Sequence, residues 1–120
     1  MPNPNIATAT SILGGTLYGA IDTSLDEVLE NSSSTLVLKI NTLIISNIDG
    51  TNAADVSATL SSSAGGTDVF IAHLITVPAK SNLVLISKDI SFYLTQNKAI
   101  NLQASAASDL NYLLSYETIS

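Results

Sequence analysis

Apolar and polar residues alternate along most of the chain after residue 35. Between residues 35 and 48 apolar side chains occupy both parities, which predicts a long central strand that is buried on both sides for part of its length. One parity carries Leu36, Leu38, Ile40, Ile44 and Ile48, and the other carries Val37, Leu43 and Ile45.

A turn signal follows this strand directly. Residues 47–52 read Asn-Ile-Asp-Gly-Thr-Asn, a run of residues that cap turns or tolerate positive φ, and alternation resumes after it. Ala54, Val56, Ala58 and Leu60 then alternate with Asp55, Ser57, Thr59 and Ser61. The pattern predicts a β-hairpin whose second arm is half buried.

The rest of the chain repeats this spacing. Residues 61–67 predict an exposed loop, and residues 69–77 predict a strand that ends at Pro78. Further strands are expected over 83–86, 90–95, 100–105 and 110–116, with Gln96, Asn97 and Lys98 as a tight connection. Turn signals every eight to twelve residues predict an all-β fold, an antiparallel β-sandwich of jelly-roll type with about seven to nine strands.

The first third of the chain leaves alternatives open. Residues 1–20 are expected to form an N-terminal arm or a bulged edge strand, because glycines interrupt a strand-like pattern, and residues 21–120 a single β-sandwich domain. Ser24 and Glu27 match a helix capping box, so residues 22–31 are either a short helix or a strand.

Composition and charge narrow the classes of function. Charged residues make up 12% of the 120 residues, and the formal net charge is −6. Lys39, Lys80, Lys88 and Lys98 are far apart, so nucleic-acid binding is not expected. The chain has no Cys, which excludes disulfides and thiolate metal sites. No export signal or membrane span is recognisable.

Candidate chemistry is sparse. His73 is the single histidine and has no recognisable ligand or acid partner, so a structural or interface role is expected. The acidic run of Asp22, Asp26, Glu27 and Glu30 lacks the fixed spacing of a calcium loop and is expected to be a solvated face. The sequence therefore predicts no catalytic residues, no cofactor, no metal site and no enzyme activity.

Aromatic residues bear on sugar binding, which usually relies on stacked planar rings. The chain has no Trp, and Tyr93 is the one ring whose parity points away from the core. Carbohydrate recognition is therefore an alternative of lower rank.

An ordered series of short motifs resembles a family of small virion structural proteins of tailed phages, especially those of cyanobacteria and other marine bacteria. The resemblance covers about residues 36–119. It is carried by residues 37–47 (VLKINTLIISN), 53–56 (AADV), 71–72 (IA), 77–79 (VPA), 85–88 (LISK), 93–94 (YL), 102–106 (LQASA) and 115–117 (SYE). The family usually has an acidic Gly-Asp turn where this chain has Gln96, Asn97 and Lys98.

The resemblance implies a β-sandwich subunit that decorates or cements a phage capsid. It would bind major capsid subunits through its surface and its N-terminal arm, as a homo-oligomer of three or more copies assembled in the host cytoplasm. A neck, head-to-tail or tail component is the alternative within the virion. A carbohydrate-binding or host-binding module is the second alternative, and no membrane partner is implied.

Overall fold

The computed structural model describes residues 5–62 and 68–120. Nine strands and two short 3-10 helices, Ile6–Thr8 and Lys88–Ile90, are present in these segments. The strands are β1 (Ile12–Ala20), β2 (Asp26–Asn31), β3 (Val37–Asn47), β4 (Ala54–Ser62), β5 (Val69–Val77), β6 (Asn82–Ile86), β7 (Phe92–Leu94), β8 (Lys98–Ala104) and β9 (Leu110–Ile119).

The strands form two antiparallel sheets. Sheet I has the order β1-β9-β3-β6. Strand β7 pairs with the same side of β3 as β6 does, but with residues 38–40, whereas β6 pairs with residues 43–46. Sheet II has the order β2-β8-β4-β5. Consecutive strands mostly alternate between the sheets, which is the connectivity of a jelly roll. The all-β sandwich expected from the alternation is confirmed.

The core lies between the inner faces of the two sheets. Its largest fully buried side chains come from the central strands β3, β9, β8 and β4 and from the ends of β5, β6 and β7. They include Ile40, Leu43, Ile45, Val56, Val77, Ile86, Leu94, Ile100, Leu102, Leu110 and Leu114. The central strands carry most of this burial on their inner side, and their outward-facing residues form the outer face of each sheet.

The central strand differs from the expected parity. The β3–β9 register shifts between Ile40 and Thr42, so one extra residue is accommodated there. Leu38 and Ile40 face the core before this bulge, and Leu43 and Ile45 face it afterwards. A bulge exchanges the two faces of a strand. Ile44, assigned by parity to the side of Leu38, therefore faces outward.

The predicted β3–β4 hairpin is wrong. β3 belongs to sheet I and β4 to sheet II, so residues 48–53 cross from one sheet to the other. The buried Asn47 side chain holds this crossing, because its Nδ2 donates to the carbonyls of Asn52 (3.0 Å) and Val77 (2.9 Å). The strand and its alternation over residues 54–60 are confirmed, with Ala54, Val56 and Ala58 buried against the core, but the expected half burial is wrong, because Ser57 and Thr59 on the other face are also buried.

Other local expectations have mixed outcomes. Residues 26–31 are strand β2, and the Ser24 hydroxyl donates to the Asp26 carboxylate and caps no helix. The strand expected over 90–95 begins only at Phe92, because Lys88–Ile90 form a 3-10 turn. The expected 61–67 loop begins later, since β4 runs to Ser62, and residues 63–67 lie outside the described part of the chain.

The N-terminal residues 12–20 form the edge strand β1. It pairs with β9 over nine consecutive positions, from Ile12 opposite Ile119 to Ala20 opposite Asn111, without a register shift. The bulge expected at its glycines is therefore not present. Backbone hydrogen bonds between Ser11 and Ser120 (2.9 and 3.0 Å) extend this pairing to the end of the chain.

Candidate assembly surface

The outer faces of the two sheets differ in polarity. On sheet II, the outward parity of β4 carries Asp55, Ser57 and Thr59, with Asn101 and Gln103 beside them on β8, and of these Ser57, Thr59 and Asn101 are buried. The Asn101 amide donates to the Thr59 hydroxyl (3.1 Å) and to that of Ser61 (2.9 Å). Because these polar groups are already hydrogen-bonded to one another, they gain little from a partner.

Sheet I presents a row of apolar side chains to solvent. Residues directly opposite each other in antiparallel strands lie on the same face. Tyr18 is opposite Leu113, Leu113 is opposite Ile44, and Ile44 is opposite Val84. Tyr18 is 78% exposed, Val84 54% and Leu113 44%, and Ile44 is half-buried. These four residues, termed the apolar row, cross strands β1, β9, β3 and β6 of the five-stranded sheet.

A second row on this face contains its charges. Gly14 is opposite Glu117, Glu117 is opposite Lys39, and Lys39 is opposite Tyr93. Tyr93 is 45% exposed, which agrees with its expected orientation away from the core. A Cβ built on Gly14 has no atom within 4 Å, so the space above this glycine is open. These four residues are termed the charged row.

Small side chains separate the two rows. Thr16, Ser115 and Thr42 form the row between them, and Ala20, Asn111, Ser46 and Asn82 form the row on the other side of the apolar row. Short side chains leave the apolar row accessible, because they do not rise above it. Between the charged row and Asn82, the outer face of sheet I thus consists of bands of different polarity.

The edge strand β5 also exposes apolar side chains. Val69, Phe70, Leu74 and Ile75 are all exposed, although Val69 and Ile75 are opposite residues of β4 that point inward. Register shifts interrupt the β4–β5 ladder, and Leu74 has a φ of 52° at one of them. Bulges of this kind discourage uncontrolled pairing of a sheet edge.

The candidate residues from the sequence do not converge. His73 is exposed on β5, where its ring contacts that of Phe70 at a centroid distance of 4.2 Å. Within residues 5–62 and 68–120, no group of three or more His, Cys, Asp and Glu side chains is placed to hold a metal ion. The acidic residues Asp22, Asp26, Glu27 and Glu30 are exposed.

One depression of the surface, of about 430 Å³, is polar and open, and it is lined by Ser46, Asn47, Lys80, Ser81 and Asn82. These lining groups include a single cation and no carboxylate or imidazole, so they offer no acid and base pair. In the described segments, no helix has the length and apolar character needed to cross a bilayer.

Comparison with protein-family models and with curated protein sequences gives no match. Among solved structures, the chain is similar to one described as "Bacillus endospore appendages form a novel family of disulfide-linked pili". The TM-score is 0.57 over 100% of this chain and 96% of that chain, with 13% sequence identity. At this identity the likeness shows a shared β fold.

Sequence reasoning missed the apolar row. It named only the N-terminal arm and His73 as possible contact residues, and it grouped Ile44 by parity with Leu38 and Ile40 on a strand expected to be buried on both sides. The row emerges only from the register of four strands that are distant in the chain. The available signal was the presence of apolar residues on both parities of β3, which was interpreted as burial on both sides.

Proposed function

We propose that this protein is a structural subunit of a larger assembly and that it acts by contact and not by catalysis. The observation that carries the proposal is the apolar row across the outer face of sheet I, exposed on a rigid sheet. Exposed contiguous apolar surface with a polar surround is characteristic of contact sites. The hydrogen-bonded polar groups on the outer parity of sheet II would gain less from such a contact.

The specific form of the proposal is a phage virion protein that decorates or cements the capsid. The motif series over residues 36–119 supports it, and a jelly-roll sandwich with one contact face suits a subunit added to a shell. Its partners would be major capsid subunits or neck proteins, and its location the virion. Residues 12–20 would contribute as edge strand β1, which carries Tyr18 of the apolar row.

A second candidate is a subunit of a surface appendage. It is favoured by the likeness to the pilus structure, which extends over the whole of this chain. That structure is described as disulfide-linked, whereas this chain has no Cys. Any filament built from it would therefore be held without disulfides between copies of this chain.

Immunogold electron microscopy separates these forms. Antibodies raised against the purified chain would be applied to particles and to cells from the culture that produces it, with pre-absorbed serum as the control. Label on phage heads or necks supports the virion form, and label on filaments supports the appendage form. Label confined to soluble material, with none on particles or filaments, would contradict a structural role.

A further inference from the structure

We propose that the outer face of sheet I binds the same face of a second copy of this chain through a two-fold axis. The axis runs along the strands between β9 and β3. The inference rests on the proposed structural role but names the partner and the contacts, which nothing above assigns.

Rotation about this axis matches the strands in pairs. It places β9 of one copy over β3 of the second copy, and β1 over β6 and β7, while each cross-strand row stays at its own level. A contact of this kind is isologous. Each row of one copy meets the same row of the second copy, read in the opposite direction, and the residues that meet must be complementary. Because the axis runs along the strands, the strands of the two copies are aligned with each other at the axis, which keeps the central rows in contact.

The charged row meets this requirement. Glu117 lies over Lys39 of the second copy, and Lys39 lies over Glu117 of the second copy. Because Glu117 and Lys39 are also opposite each other within one sheet, four charges of alternating sign meet at the centre of the contact. Complementary charge fixes the register of such contacts and penalises others.

Shape is complementary in the same row. Tyr93, which is 45% exposed, lies over Gly14 of the second copy, where the space above the backbone is open. In the apolar row, Tyr18 lies over Val84 and Leu113 over Ile44. At the outer positions of the two rows, a tyrosine therefore meets a smaller residue, Gly14 or Val84. At the centre of the apolar row, two apolar side chains meet.

The available area is sufficient for a specific pair. Strands spaced ~4.8 Å apart with ~3.4 Å per residue give a four-stranded face of roughly 20 × 30 Å. Such a face buries about 600 Å² per copy, or about 1,200 Å² in the pair, which is the lower end of the range for stable specific interfaces. The pair is therefore expected to be reversible at micromolar concentrations.

Charge reversal provides a direct test by sedimentation velocity and native mass spectrometry. The unchanged chain is expected to pair reversibly at tens of micromolar. Lys39→Glu alone and Glu117→Lys alone should each weaken pairing at least ~10-fold, because like charges then face each other. Glu27→Lys, on the outer face of sheet II, makes the same charge change as Glu117→Lys and should leave pairing unchanged.

Mixing the two single variants is the decisive step. Position 39 of each variant then faces position 117 of the other with opposite charge, whereas the cross-strand pair within each copy remains like-charged. Heterotypic pairs should form at close to the affinity of the unchanged chain. Urea unfolding of each variant at low concentration verifies that the sandwich is intact.

Three results would overturn the proposal. They are an unchanged chain that is monomeric at several hundred micromolar, single reversals that pair as well as the unchanged chain, and a mixture that remains monomeric. Leu113→Asp gives a second line of evidence, since a carboxylate in the apolar row should abolish pairing. Because these results do not depend on where the protein resides, pairing and the proposed virion role can fail separately.

Discussion

Two buried asparagines occupy equivalent corners of the sandwich. Asn31 ends β2 and Asn47 ends β3, and after each the chain crosses between the sheets. In both, Oδ1 accepts from the backbone N–H two residues on, and Nδ2 donates to the carbonyl five residues on and to a distant one. The distant carbonyls belong to Leu94 and Val77. Each side-chain amide thus supplies hydrogen bonds to backbone groups that lose their strand partners where the chain leaves the sheet.

Replacing Asn47 with Ala should destabilise the fold by about 2 to 3 kcal/mol, because buried carbonyls and an N–H lose their partner. Urea unfolding monitored by circular dichroism measures the effect. Asn52→Ala is the matched control, since its side chain makes an exposed bond to Asp49, and it should cost under ~1 kcal/mol. Equal losses in the two variants would contradict the role assigned to Asn47.

Asp49 adds a pH dependence to the same crossing. The Thr51 N–H donates to its carboxylate (2.9 Å), and this bond, with others from Thr51 and Asn52, lowers the pKa of Asp49 below its ordinary value of 3.8. A lowered pKa contributes stability that is complete above 3.8 and is lost as the pH falls through the folded value.

Asp49→Asn should therefore reduce stability at pH 7 but have a smaller effect near pH 2. Thermal unfolding between pH 7 and pH 2 gives the comparison, and Asp109→Asn is the control for general charge effects. If the difference in stability between Asp49→Asn and the unchanged chain stays constant over this range, the ionised carboxylate of Asp49 does not stabilise the crossing.

At the scale of elements, β1 depends on two glycines beneath tyrosine rings. Gly15 is opposite Tyr116 and Gly19 is opposite Tyr112. A Cβ on Gly15 would lie 2.7 Å from Cζ of the Tyr116 ring, and one on Gly19 would lie 3.3 Å from Cε1 of Tyr112. The rings cover the glycines and fill the space between β1 and the core.

Gly15→Ala should cost about 1 to 2 kcal/mol, because the Tyr116 ring or the strand must move. Gly14→Ala should be neutral or stabilising by up to ~1 kcal/mol, since its Cβ meets nothing and Ala is less costly than Gly in a strand. Urea unfolding below the concentration of pairing tests both. Hydrogen exchange should show the loss concentrated in β1 amides, and equal effects at the two positions would contradict the model of ring cover.

The strand β5 tolerates a strained position. Leu74 has a φ of 52°, and its N–H donates to the Ser57 hydroxyl (3.0 Å). Leu74→Gly should stabilise by up to ~1 kcal/mol, and Leu74→Val should destabilise, because a branched Cβ resists positive φ. Chemical unfolding of both variants decides the sign. A Leu74→Val chain as stable as Leu74→Gly would show that the position is not strained.

The elements show how far periodicity reaches. Strand β4 was predictable as a strand, because a period of two depends on local residues alone, but the burial of Ser57 and Thr59 on its polar face was not. The 22–31 segment was ambiguous, since Ser24 and Glu27 suit a capping box as well as a strand. The hairpin at Asn47 failed because a turn signature does not say which sheet receives the next strand. The apolar row could not be predicted for a related reason. A bulge at Asn41 exchanges the inner and outer faces of β3, and the local pattern does not show it.

At the scale of the whole molecule, the two ends of the chain close sheet I. β1 lies against β9 over its full length, and Ser120 exchanges hydrogen bonds with Thr10 and Ser11. Removing β1 would expose the edge of β9 and uncover Tyr112 and Tyr116 on the core side. Such long-range pairing between ends makes the sandwich one cooperative unit.

Two truncations distinguish a closing strand from a separable arm. A chain of residues 10–120 keeps β1 and the bonds to Ser120, so its unfolding free energy should match that of the full chain within ~1 kcal/mol. A chain of residues 21–120 loses nine paired positions and should be destabilised by at least ~3 kcal/mol, with a tendency to aggregate at the open β9 edge. Urea unfolding and sedimentation measure these differences.

If residues 1–20 act only as an arm that reaches a neighbouring subunit, the 21–120 chain would instead unfold at the same urea concentration as the full chain. That result would transfer β1 from the fold to the assembly.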